Sequence, residues 1–432
     1  MPAPTTAAGG DWTTYHHDAA RSGLAPDAAP AAGLSVAWRA HLDGAVYGEP
    51  LVLGDRVLVA TENDSIYSLD RRTGHTEWRT HVGTPVPLSA LPCGNIDPLG
   101  ITGTPVIDRA TRRLFAVAET TGYRHVLVGV DVDSGRVLQR RDLPTPGGQP
   151  RFQQQRPALT LAHGRVYTAF GGLFGDCGHY LGSVVGAPVT GRGPLVTYRV
   201  PASNNAAIWA TGGPVLTPDG DLLVSVGNGA ATSRSAGYDG SDSVLKLTPQ
   251  LRREGFFAPS TWPLDNAADL DLGSLTPALT GNGRVLIAGK RGTAYLLSLQ
   301  HLGGVGGELT SAPLCRGFGT PAHHGDVVYL PCVDGGLAAV DVSGDRINVL
   351  WRGPSDGNGS PVIGAGTVWV AGWDSGTLYA LDERTGAVQH QITVADALPH
   401  FVSPSLSGNL VLLGTTDGVV AVTSSGQHTV DR

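Results

Sequence analysis

At 432 residues the chain exceeds one ordinary compact domain of about 100–200 residues, so it holds several domains or one large repeat architecture. The formal charge is −7, from 30 basic and 37 acidic residues, and no block of like charge occurs. A strong footprint for nucleic acid or an anionic membrane is excluded. Hydrophobic residues make up 41% and charged residues 16%, too apolar for a disordered chain, and no apolar run approaches the roughly 18 residues of a membrane-crossing helix. The 61 glycines and 30 prolines, beside many valines, leucines and threonines, predict short strands joined by tight turns.

The chain opens on the polar lead Met1–Ala8, which has no apolar signal core. The expectation is a mature secreted chain; a cytoplasmic protein with four thiols is the alternative. Residues 1–32 are predicted to be a lead segment and 33–432 a single domain. The run VAWRAHL around Trp38, within 34–42, reads as a fourth strand lacking its first three.

From there one motif recurs: a small residue, Pro, a few residues, a Gly turn, then a β-rich run. It is centred on Pro50, Pro105, Pro157, Pro214, Pro277, Pro321, Pro361 and Pro404. Repeats of about 40–50 residues mean propeller blades, solenoid turns or arrays. Pro suits the first residue of a strand, where no ladder N–H is needed. The Gly-Asp, Gly-Asn and Asn-Gly pairs suit hairpin turns.

A second motif follows: an alternating strand, Asp, a Thr/Ser-Gly turn and a further strand. It appears at 65–78, 127–137, 336–351 and 377–388. Its aspartates, Asp70, Asp131, Asp341 and Asp382, can close the turn on backbone N–H groups. Recurrence marks them as structural. Two motifs per unit give four strands, and eight units give eight blades, whose faces are buried by radial packing. The last unit, ending GVVAVTSSGQHTV at 430, stops near its third strand. Strand 34–42 is therefore expected to complete it and close the ring of an all-β, eight-bladed propeller. Insertions at 84–99, 118–126, 171–183, 229–241 and 250–272 lengthen blades two to five, where function is expected to lie.

The cysteines are Cys93, Cys177, Cys315 and Cys332, an even set that permits two disulfides without fixing their pairing. Cys315–Cys332 would join neighbouring strands or loops within one repeat, and Cys93–Cys177 would tie two long loops. The adjacent histidine pairs His16-His17 and His323-His324 point to opposite faces of a strand, which makes shared metal ligation improbable. His179 and His400 are candidates to face the channel. Asp239 and Asp242 are acidic but lack EF-hand spacing. No haem, Walker, Rossmann or nucleophile-elbow motif is present.

The unit of type LYALDxxTGxxxW resembles the repeat of quinoprotein alcohol dehydrogenases, eight-bladed propellers that use pyrroloquinoline quinone (PQQ) with Ca²⁺ or a lanthanide. The opening DWTTYHHDAARSG (11–23) is similar to the poly(vinyl alcohol) dehydrogenase branch. The same repeat also resembles scaffold propellers such as the outer-membrane assembly lipoprotein. Segment 207–230 resembles the family's quinone floor and metal turn, which implies Trp209 beneath the quinone and Asn228 as a metal ligand. An aromatic face suits a planar quinone and an amide oxygen suits a hard cation.

Segment 266–279 implies Asp271, in D-x-G-S, as general base and metal neighbour, with Asp269 as the other candidate. Segment 286–297 resembles the K-x-G-x-x-Y-x-L strand, which implies that Lys290, one of only two lysines, reaches quinone oxygens. Arg156 is the cationic candidate for quinone carboxylates. The family's blade-three Glu metal ligand is missing from AFGGLFGDCGHYLG (169–182), which leaves Asp176 as a substitute, and the vicinal disulfide is absent too. The resemblance implies a secreted, monomeric oxidoreductase that oxidises an alcohol. The alternatives are a cofactor-free scaffold for a protein, glycan or envelope partner, or a pocket turned to tailoring chemistry without PQQ.

Overall fold

The computed structural model describes residues 10–424. The lead Met1–Ala8 and the predicted end of the last unit, 425–430, lie outside the described residues. Eight sheets, each with a four-strand antiparallel meander, surround one channel. Their innermost strands begin just after the eight recurring prolines. Blade one runs through Leu51–Leu53, Arg56–Ala60, Ser65–Asp70 and Thr76–His81. Blade eight consists of Ser405–Ser407, Leu410–Thr415 and Gly418–Thr423, with Ser35–His41 as its outer strand. Ser35 pairs with Thr423 and His41 with Gly418, so the chain's first long strand completes its last sheet.

Burial follows position within a blade. Middle strands are apolar on both faces because neighbouring blades cover both; in Arg113–Thr120 every residue after the first is buried. Outer strands alternate, as in Thr76–His81, because one face meets solvent. Each buried Val, Leu or Ile side chain contributes roughly 1.5–3 kcal/mol.

The second motif makes the seams. Asp70 Oδ1 accepts from the N–H and hydroxyl of Thr73 at 2.9 and 2.7 Å, and Asp131 and Asp382 do the same with Ser134 and Thr385. The turns place Gly74, Gly135 and Gly386 at positive φ, each beneath a tryptophan of the preceding blade: Trp38, Trp78 and Trp351. A Cβ at any of the three would collide with the indole. The indole N–H groups donate to Arg71 O, Val132 O and Glu383 O at 2.9–3.1 Å. The Trp38 seam joins blade eight to blade one by the same device that joins one to two.

Two expectations are corrected. Segment 118–126 is no loop insertion: strands Arg113–Thr120 and Arg124–Asp131 simply extend a hairpin. Both disulfides form, but Cys315 follows blade five's outer strand Thr310–Pro313 and Cys332 ends blade six's second strand Val327–Cys332. That bridge joins neighbouring blades rather than closing one repeat. Cys93–Cys177 ties loop 84–99 to the blade-three loop, as expected.

Residues 11–34 pack beneath the ring. Trp12 pairs with Val52, and Leu24–Ala25 adds a parallel strand to blade seven. Arg21, buried, donates to Gly212 O, Leu159 O, Tyr15 O and the hydroxyls of Thr14 and Thr160. This segment closes the inner end of the channel.

Candidate functional site

The residues immediately before the eight prolines form a girdle inside the channel. Six are small or hydroxylated: Thr104, Gly213, Thr276, Thr320, Ser360 and Ser403. Their hydroxyls bond around the ring; Thr276 meets Thr320 at 2.9 Å, and Ser360 accepts from Thr320 N at 3.0 Å. Two positions carry charge instead. Glu49 is buried and accepts from Trp12 Nε1, His16 N and Ser403 Oγ at 2.7–2.8 Å; burial pushes its carboxyl up to about 8.

Arg156 is the other. It is enclosed by protein yet open to a cavity of about 340 Å³ at the channel mouth. Among the described residues its guanidinium has no hydrogen-bond or ion-pair partner, and Phe401 stacks beside it at 5.7 Å. Burial holds its pKa below the ordinary value, against the pull of Tyr47 and of Glu62, itself raised to about 7 by burial. A half-buried guanidinium that faces the cavity with no protein partner gives that cavity a positive charge suited to an anion.

The cavity gathers residues from loop 84–99, from the loops of blades three, four and five, and from those leading into blades six and eight. Arg156, Asp176, Trp209, Asn228, Asp269, Asp271 and Lys290, the residues implied by the family resemblance, all line it. His400 lines it too. His179 does not; its Nε2 meets Ser203 O at 3.0 Å. Asp239 is taken by Ser241 and Asp242 accepts from Leu272 N, so both serve the loops behind the wall.

Asp271 sits between two glycine-bearing turns. A Cβ on Gly227 would strike its carboxylate and one on Gly289 its carbonyl, so glycine permits the approach. Asp271 Oδ1 accepts Asn228 N at 2.5 Å, and Oδ2 lies 2.6 Å from Lys290 Nζ. Burial raises the Asp271 pKa, opposed first by the Lys290 ammonium. Lys290 also reaches Asp269 Oδ1 at 2.8 Å and lies 5.8 Å from the Trp209 ring centre. Asp269, in a left-handed conformation, ends the helix Trp262–Ala268; the rest of the expected insertion 250–272 includes blade four's outer strand Arg253–Ala258. Its exposed carboxylate reaches the cavity edge.

Sequence reasoning missed the aromatic walls. Phe318 and Phe401 are nearly parallel at 6.1 Å, and Trp209 lies 6.1 Å from each. Phe174 and Tyr180 add further apolar surface. Phe318 and Phe401 each stand three residues before a blade proline, near the Arg156 position of blade three; that offset was the available signal. Beneath Arg156 and Phe401 a chamber of about 20 Å³, room for about one water, extends toward Tyr15 and Thr211.

The donor set suits a planar anionic quinone, with aromatic faces, an unpartnered guanidinium and an ammonium. It does not suit the divalent cation. Asp176 Oδ1 is held by Tyr180 OH at 2.5 Å, and the Asn228 side chain lies against the Asp271 carboxylate, which its backbone N–H already engages. Among the described residues no three His, Cys, Asp or Glu side chains converge as a metal site.

The family described as outer membrane protein assembly factor BamB matches residues 28–213 and 263–430. A comparison with curated proteins found no match. Among solved structures, quinohemoprotein alcohol dehydrogenase ADHIIG of Pseudomonas putida HK5 is similar at TM-score 0.73 and 13% identity, over 98% of this chain and 81% of that one. A europium-containing methanol dehydrogenase gives 0.70 and 14%, over 96% and 98%. BamB of Moraxella catarrhalis gives 0.63 and 14%, over 90% and 99%. The chain thus has the eight-bladed fold of the quinoprotein dehydrogenases.

Proposed function

We propose that this chain, which belongs to the family described as outer membrane protein assembly factor BamB, is an extracytoplasmic oxidoreductase that oxidises an alcohol with PQQ at the channel mouth. The observation that carries this reading is the unpartnered Arg156 guanidinium facing the same aromatic cavity as the Asp271–Lys290 pair. The two disulfides support an oxidising compartment, and among the described residues no helix is long and apolar enough to cross a membrane.

Arg156 and Lys290 would hold quinone carboxylates and carbonyl oxygens, and Trp209 would face the ring system. When bound, the quinone supplies a two-electron acceptor. Asp271 takes the hydroxyl proton as the substrate's C–H electron pair departs, which leaves a carbonyl product. A base must be ionised, so its raised pKa moves the acid limb of the rate profile upward from that of an ordinary aspartate. Lys290 limits that rise and orients the carboxylate. The closed inner end excludes bulk water from below.

The test is reconstitution with PQQ and an artificial electron acceptor across primary and secondary alcohols. Turnover is expected, with Asp271→Asn reducing kcat by about 10²–10⁴-fold. An Asp271→Asn variant with undiminished turnover would remove the base from the scheme.

A further inference from the structure

We infer that the Lys290 ammonium takes the place of a divalent cation in this site, so that the mouth assembles and binds its ligand without a metal. The inference rests on the quinone reading only for what the cavity binds. The charge argument concerns Lys290, Asp269 and Asp271 alone.

Three observations converge. Lys290 Nζ lies between two carboxylates, 2.6 Å from Asp271 Oδ2 and 2.8 Å from Asp269 Oδ1, with its side chain largely buried. Those are the oxygens a hard cation would need. The ammonium also lies near the Trp209 ring face, which favours positive charge there. The carboxylate left to replace the missing blade-three ligand is turned elsewhere, Asp176 to the Tyr180 hydroxyl. A divalent cation would have to expel a monocation from a paired, low-dielectric position and recruit donors already engaged.

Lysine differs from arginine here in a way that matters. Its charge is compact and its three donors rotate, so it can bridge two carboxylates on different elements as a small metal ion would. The backbone holds it in place, since Lys290 N donates to Asp271 O at 2.8 Å. Asp271 thereby keeps a positive neighbour that favours its ionised form, the electrostatic help a metal would otherwise supply.

Terbium titration, read by tryptophan-sensitised emission and competed with Ca²⁺, tests this on the intact chain. The wild type is expected to show no saturable binding in the range of built oxygen sites, on the order of 10⁻⁷–10⁻⁵ M. Lys290→Ala and the near-isosteric Lys290→Met free both carboxylates, and at least a tenfold gain in Tb³⁺ affinity is expected in whichever variant folds. Saturable micromolar binding to the wild type, competed by Ca²⁺ and lost in Asp271→Asn, would overturn the inference. PQQ quenching of tryptophan fluorescence in EDTA separates the two claims. Quenching retained in EDTA supports metal independence. Quenching that appears only with added metal overturns it and leaves the quinone reading standing. If PQQ never binds, that reading falls, and the terbium result still decides the role of Lys290.

Discussion

The blade seams and the channel mouth use the same residue types for opposite ends. At the seams, aspartates close turns at the surface, and tryptophans cover glycines with every indole N–H satisfied. At the mouth, Asp271 is buried beside a lysine, Trp209 stands open to a cavity, and Arg156 is left unpartnered. The seams lower the folding free energy. The mouth pairs Asp271 with Lys290 and leaves one charge, Arg156, facing the cavity without a protein partner. Recurrence separates the two, because what every blade needs is repeated and what the ligand needs occurs once.

The largest effect is expected at the closing seam. Trp38→Ala removes a buried indole, and about 3–5 kcal/mol of stability should be lost. Denaturant unfolding followed by circular dichroism reads this; an unchanged midpoint would show that the seam does not close the ring.

A smaller effect separates the girdle from the seams. Glu49 has a folded pKa of about 8, above its unfolded value, so the native state binds more protons between the two. Stability should therefore fall as pH rises from about 4.5 to about 8. Glu49→Gln should make that fall shallower, with Glu62, also raised by burial, carrying part of the remainder, measured as Tm against pH; an equal slope in both proteins would place the titration elsewhere. A mouth charge should behave differently again. Arg156→Met removes a half-buried cation without a hydrogen-bond partner and should leave Tm unchanged or slightly raised, whereas a seam residue lowers it.

The scaffold was readable because its physics repeats. The Pro-Gly units marked each inner strand, and Asp70, Asp131 and Asp382 announced themselves as turn formers by recurring. The orphan strand around Trp38 gave the closure. The mouth residues were reached only through resemblance, and the cavity brings all seven together, though their roles stay proposals. What sequence left dark depended on distance across the ring. Nothing local says that Lys290 bridges Asp269 and Asp271, that Tyr180 takes Asp176, or that Phe318 and Phe401 lie parallel across blades. The second bridge was also misplaced, since seventeen residues of separation does not reveal that a blade boundary lies between Cys315 and Cys332.

The most direct measurement is a PQQ titration of the purified protein in EDTA, followed by tryptophan fluorescence, for the wild type and Arg156→Met. The account predicts saturable quenching in the wild type and an affinity at least tenfold weaker in Arg156→Met, with the fold intact by circular dichroism. Absence of saturable quenching in the wild type, with or without added Ca²⁺ or lanthanide, would contradict the claim that this mouth is a quinone site.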